Sequence, residues 1–262
     1  MLRSGKERLS DFGRLWLELD DYIAAKRRNV WLGAVIALGV LAMISAGVVV
    51  YTGDGEALTP VCITSGIVGI IAVIGIFALN ASIDRMARKV RFAKDLTKAL
   101  ADDYHPARKI LYYLDLRSYD TGDKRYWSGR SRHGNSKYRY LDRWFRQKFT
   151  LIDGTEIIVE RKADVKVRKG AVMRHKRRVY IKIRPATQSF GHGVGREPEA
   201  LDSMVRAAIR ESFHDPPEFI KVRQGGESDV LEIKITQLDA PIFGSEVVSV
   251  IEAMLLYLQM TA

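Results

Sequence analysis

The sequence predicts a membrane α+β protein, a two-helix transmembrane hairpin followed by a cytosolic antiparallel sheet with a β-α-β-β-α tail. Three observations carry that expectation. Residues 30–51 and 58–80 contain no Asp, Glu, Lys, Arg or His, and each run exceeds the roughly 20 residues that cross a bilayer core. Asp153-Gly154 separates two alternating apolar segments, the pattern of a tight β-hairpin. From residue 178 onward, short strand patterns alternate with two amphipathic helical patterns, which places helices on one sheet face.

Residues 1–29 read as a cytosolic amphipathic helix. Leu9, Phe12, Leu15, Trp16, Leu19, Tyr22 and Ile23 recur at helical spacing, with Asp11, Glu18, Asp20 and Asp21 on the other side. Ser4 and Glu7 fit a capping box, and Ser10 is the alternative start. The acids favour docking on a basic domain over lying on lipid.

The hairpin then spans 30–80. Trp31 and Tyr51 bracket its first run, where amphipathic rings prefer the headgroup level, and Pro60 falls in the opening turn of the second. The first run is too long and begins too late for a cleavable signal peptide. The link at 52–57 has two acids and no Lys or Arg. Lys26, Arg27 and Arg28 precede the first run, and Arg85, Arg88, Lys89 and Arg91 follow the second. The positive-inside rule therefore puts both flanks and both termini in the cytoplasm of a two-span cell-membrane protein. Three small-xxx-small pairs, Gly33 with Ala37, Ala42 with Ala46 and Ser65 with Gly69, permit close backbone approach. They suit packing within the hairpin or a homo-oligomer seam.

Residues 81–116 form a basic juxtamembrane linker, a helix carrying Ile83, Met86, Val90, Ala93 and Leu100, then a strand at 109–116 beyond Pro106. Residues 117–144 lack periodicity and read as a long, exposed, basic aromatic loop. The cytosolic α+β domain occupies 145–262. Its strands are expected at 148–152, 155–160, 163–168 and 178–184, with a helix at 198–213. A hairpin at 218–223 and 229–236 turns at Gly225-Gly226, and a last helix runs 245–260.

Charge is unevenly spread. Residues 82–184 carry 29 basic and 12 acidic side chains, whereas 185–262 carry 6 basic and 12 acidic. The middle region therefore predicts an anionic partner. Its candidate anion-binding residues are Arg174, Lys176, Arg177 and Arg178, in a run expected at the bend of a hairpin, and Arg125, Arg130 and Arg132 in the basic loop. The nearest anionic surface is the cytoplasmic leaflet, where each Lys or Arg contributes about 1 kcal/mol. Membrane lipids, a nucleotide, another anionic ligand or an acidic protein are the partners this chemistry suits. Tyr126, Trp127, Tyr138, Tyr140 and Trp144 interleave with the cations as in nucleic-acid binders, but no named nucleic-acid motif accompanies them.

No catalytic group, cofactor or metal is expected. Cys62 is the only cysteine, and none of His105, His133, His175, His192 and His214 has metal-ligand spacing. There is no G-x-S-x-G elbow. The glycine-dense stretch 190–196 is G-x-G-x-G without Lys-Ser/Thr, so it matches neither a P-loop nor a dinucleotide fingerprint. Spans without ionisable groups also lack the proton relays and charge-lined paths of many transporters. The function expected is non-catalytic display of a basic cytosolic domain to an anionic ligand, lipid headgroup or acidic partner. In its order of spans, β region and β-α-β-β-α tail the chain resembles the cytosolic plan of small mechanosensitive channels. That resemblance implies, as the alternative, a homo-oligomeric pore gated by the cytosolic domain.

Overall fold

The computed structural model describes residues 1–52, 55–186, 198–224, 230–238 and 240–261. The glycine-dense stretch 190–196 and the turn Gly225-Gly226 lie outside these residues. In chain order the elements are β1 (Leu2–Glu7), α1 (Leu9–Thr52), α2 (Gly55–Ala99), β2 (Ile110–Asp115), β3 (Arg125–Arg130) and β4 (Ser136–Thr150). These are followed by β5 (Glu156–Arg168), β6 (Ala171–Arg184), α3 (Pro198–Ser212), β7 (Phe219–Gln224), β8 (Leu231–Leu238) and α4 (Gly244–Thr261). Two long apolar helices thus precede an open antiparallel sheet, and the chain divides into two compact units. Leu15–Val90 forms one; Met1–Arg14 together with Arg91–Ala262 forms the other.

In the helical unit, Arg27 Nη2 lies 2.7 Å from Asp84 Oδ1 and ties α1 to α2 just beyond their apolar runs. Leu15, Trp16, Leu19, Ala34, Ile83, Met86 and Val90 are buried. Most other side chains described along the apolar runs, within 31–44 and 66–79, are exposed. Trp31, Ile36, Met43, Ile70, Ile74 and Phe77 are all exposed, Met43 by 70% and Phe77 by 71%.

The sheet unit orders its strands β1-β2-β4-β5-β6-β8-β7, and β3 pairs with β4 off this path. All pairs are antiparallel. Alternation along each strand separates two faces. The inner face buries Ile157, Val159 and Val165 on β5, Val179, Ile181 and Ile183 on β6, and Leu231, Ile233 and Ile235 on β8. Helices α3 and α4 supply Leu201, Val205, Ile209, Val247, Ile251, Met254 and Leu258; α3 buries one stripe, and α4 a wider face that adds Val248, Val250 and Tyr257. Each such side chain contributes about 1.5–3 kcal/mol on leaving water. The end of α2 joins this core: the Phe92 ring meets Trp144 at 5.6 Å and Phe145 at 5.3 Å, and Gln147 Nε2 donates to Thr97 Oγ1 at 3.1 Å. Gly244 opens α4 where a Cβ would lie 2.9 Å from the Phe92 carbonyl oxygen.

Four expectations are corrected. Residues 1–29 are not one helix, because residues 2–7 pair as a strand with β2, Ser4 opposite Tyr113, and the helix starts at Leu9. Ser4 therefore caps nothing; Gly5 instead lets the Tyr112 ring approach, with a Cβ there only 2.9 Å from it. The link at 52–57 is shorter, since α1 runs to Thr52 and α2 begins at Gly55.

Residues 117–144 are not a loop. They hold β3 and half of β4, paired from Arg125 opposite Tyr140 to Arg130 opposite Ser136. Here alternation sets tyrosines against cations: Tyr138 and Tyr140 pack with Tyr119 on Ala163, Val165 and Val167, so aromatic burial replaces the aliphatic pattern that marks most strands. Finally, residues 163–168 continue β5, and β6 begins at Ala171. Lys169 and Gly170, at φ 52° and 76°, make the two-residue turn with positive φ that suits a hairpin. The run 174–178 is therefore strand, not bend.

Candidate functional site

Because β6 starts early, its outward side chains are Arg174, Lys176, Arg178, Tyr180, Lys182 and Arg184, two residues apart. At about 3.4 Å per residue this cationic ridge is about 34 Å long. Its neighbours neutralise much of it. Arg178 Nη2 lies 3.4 Å from Asp164 Oδ2, Lys182 Nζ 2.7 Å from Glu232 Oε1 and Arg184 Nη1 3.1 Å from Glu156 Oε2. Glu156 also accepts from Lys148 at 2.7 Å, and Glu160 pairs with Lys162 at 3.1 Å. The Lys148 hydrogen bond, outweighing partial burial, lowers the pKa of Glu156 and keeps it charged.

Charge is left over at two places on this outer face. Near the Lys169–Gly170 turn, Arg139 on β4, Lys166 on β5 and Arg174 on β6 are direct cross-strand partners, all exposed. At the other end, Lys221 on β7 stands opposite Lys234 on β8. These two line a groove of about 500 Å³ with Arg146, Tyr180, Lys182, Arg184 and Arg223. Lys162 and Lys234 lie over the Tyr180 ring at 4.8 Å and 5.6 Å, which occupies the aromatic surface a stacked base needs.

The fold sorts the residues singled out from sequence. It brings Arg174, Lys176 and Arg178 together on the outer face. Arg177, inside the same run, points inward, where Nη1 donates to the Ala240 carbonyl and Nη2 lies 3.3 Å from His175 Nδ1. Arg125 lies over the Tyr138 ring at 5.5 Å. Arg130 and Arg132 are exposed at the β3–β4 turn. In the helical unit Gly33, Ala37 and Ala42 are exposed, and a Cβ on Gly33 or Gly69 would meet nothing within 4 Å. Neither glycine is therefore at close approach within the hairpin. The side chains of Ala46 and Ser65 are outside the described residues.

Sequence reasoning missed Arg139, Lys166, Lys221 and Lys234, which only strand pairing brings opposite other cations. Spacing of two between cations on consecutive strands was the available signal, but it has no meaning until register is known. Buried cations are treated differently. Lys124 Nζ lies 2.7 Å from Asp142 Oδ1 and 3.0 Å from Asp115 Oδ2, and also donates to the carbonyls of Arg117 and Ser118. Burial would raise the pKa of Asp115, but hydrogen bonds from Arg117 and Lys124 hold it at about 2. This knot ties residues 117–124 to Asp115 on β2 and Asp142 on β4. Among the described residues, no group of three His, Cys, Asp or Glu side chains is placed to hold a metal ion.

The fold and this face define a sheet protein joined to an apolar helical pair, with one oily and one cationic sheet surface. No protein-family model, curated protein or solved structure matches the chain.

Proposed function

We propose that the chain is an integral protein of the cell membrane, anchored by 30–51 and 58–80 with cytoplasmic N and C termini. Its role is to present the basic outer face of its sheet to an anionic partner, without catalysis. The observation that carries the anchor is the exposure of most apolar side chains along the described parts of both runs, among them Trp31, Ile36, Ile74 and Phe77. Water penalises so large an apolar surface, whereas hydrocarbon solvates it. The anionic partner is supported by the cations left unneutralised on the outer face.

Topology is tested by labelling single cysteines in a Cys62→Ala background with a membrane-impermeant maleimide. Glu56→Cys should label in intact cells and Lys98→Cys only after permeabilisation; the reverse pattern overturns the reading. A second reading, a homo-oligomeric pore gated by the sheet unit, is favoured by Gly33, Ala37 and Ala42 facing outward. Mass photometry of the full chain in mild detergent should then show an oligomer, and a strict monomer removes it.

A further inference from the structure

We infer that Arg139, Lys166 and Arg174 form a phosphate-binding site on the outer face, beside the Lys169–Gly170 turn, for a phosphomonoester or polyphosphate group. The inference rests on the anionic-partner reading and narrows it to one place and one chemistry.

The three cations are consecutive rungs of one row, Arg139 opposite Lys166 and Lys166 opposite Arg174. Adjacent strands are about 4.8 Å apart, so the row spans about 10 Å with no acid in it. Like charges directly opposite each other destabilise a sheet. Cations also oppose one another elsewhere on the face, Arg143 with Lys162 and Arg178, and Lys221 with Lys234, but carboxylates answer them there: Glu160 pairs with Lys162, Asp164 with Arg178, and Glu160 and Glu232 line the groove at Lys221 and Lys234. The next row outward, Lys137 opposite Arg168, is cationic too. Arg168 Nε is buried there without a hydrogen-bond partner. The nearest acid along β5, Asp164, is already engaged by Arg178 and by the Tyr126 hydroxyl at 3.2 Å.

One member of the row is held in place in advance. The Arg139 guanidinium lies over the Trp127 ring at 5.5 Å. That indole rests on Gly129, where a Cβ would be 2.8 Å from the ring. Two guanidinium forks flanking one ammonium suit a group with about two charges and three terminal oxygens better than a carboxylate, which has one charge and two oxygens. The groove at Lys221 and Lys234 is the weaker candidate. Glu160 and Glu232 line it, and Lys234 is drawn onto Tyr180.

The phosphate has two possible sources, a soluble polyphosphate or a lipid headgroup, and two arms separate them. Full chain in neutral detergent is titrated calorimetrically with inorganic tripolyphosphate, and separately with micelles lacking or containing phosphatidic acid. Saturable, salt-sensitive binding in either arm supports the site, and the arm that responds identifies the source. Lys166→Gln with Arg174→Gln should weaken that binding by about tenfold or more. Lys221→Gln with Lys234→Gln should change it by less than about twofold. Thermal unfolding without ligand checks folding: the Lys166→Gln, Arg174→Gln protein should melt no lower than wild type, since repulsion is relieved. Undiminished binding in that folded variant, or tighter binding of polyglutamate than of tripolyphosphate, overturns the phosphate site while leaving an anionic partner elsewhere. Absence of salt-sensitive binding to every anion tested overturns the anionic-partner reading and the site with it.

Discussion

Arg161 and Lys166 share strand β5 but meet opposite physical demands. Arg161 points inward and is only 5% exposed. Its Nη1 donates to the Ile242 carbonyl at 2.8 Å, and its guanidinium lies 4.2 Å from the Phe92 centroid and 4.9 Å from that of Trp144. Burial, then the Arg177 cation, lower its proton affinity, while Glu246 supports the charged form. Glu246 also accepts from the backbone amides of His214 and Phe243, linking the end of α3 to the start of α4. Lys166 points outward between two other cations. One rule for this sheet follows: cations it buries are neutralised or wrapped in π density, whereas cations it can hydrate are paired with acids in some rows and left opposed in others.

The buried side of that rule should break hardest. Lys124→Ala leaves Asp115 and Asp142 buried without their ammonium, and should cost about 3–5 kcal/mol in denaturant unfolding of the full chain in mild detergent. A loss below about 1 kcal/mol would mean that water replaces the cation. Arg161→Ala should cost about 2–4 kcal/mol through the lost carbonyl bond and ring contacts, and Arg161→Met, which keeps much of the volume, distinctly less.

Acid probes the same knot. Despite burial, hydrogen bonds from Arg117 and Lys124 hold the Asp115 carboxyl at about 2, below the ordinary 3.8. A depressed carboxylate stabilises the fold above its unfolded value and loses that contribution as pH falls through the folded one. About 2 kcal/mol should therefore disappear between roughly pH 4 and 2, and Asp115→Asn should flatten that part of the stability profile. The outer face gives the smallest effect and the opposite sign. Lys166→Gln should raise stability by about 0.2–1 kcal/mol, less at high salt, read as a salt-dependent shift in the unfolding midpoint. A loss of stability would show that Lys166 is held by contacts rather than opposed by its neighbours.

Much of the architecture was legible because its segments are periodic. The apolar runs, the Asp153-Gly154 turn and the amphipathic α3 and α4 carry their pattern within a dozen residues. Gly154, at φ 91°, occupies the turn its sequence suggested, with Thr155 donating to Asp153 Oδ1 at 2.8 Å. Regions 2–7 and 117–144 were illegible for a common reason. Their strands are held by backbone pairing and aromatic cover, so they show no aliphatic alternation. Among the candidate anion ligands, Arg177 looked equivalent to Arg174, Lys176 and Arg178. A strand's period of two sends it to the other face, which was invisible while the run was assigned to a bend.

The apolar runs, the surplus of cations between 82 and 184, and most helices and hairpins depend on residues close along the chain, so they can be read from the order of amino acids alone. Which cations confront one another is set by the folded sheet. Arg139, Lys166 and Arg174 belong to three strands and meet by register, and electrostatic repulsion depends on distance in space rather than along the chain. Tertiary packing likewise decided that the cations of the acidic tail, Lys221, Arg223 and Lys234, join the basic face, since charge here is partitioned by sheet surface and not by segment.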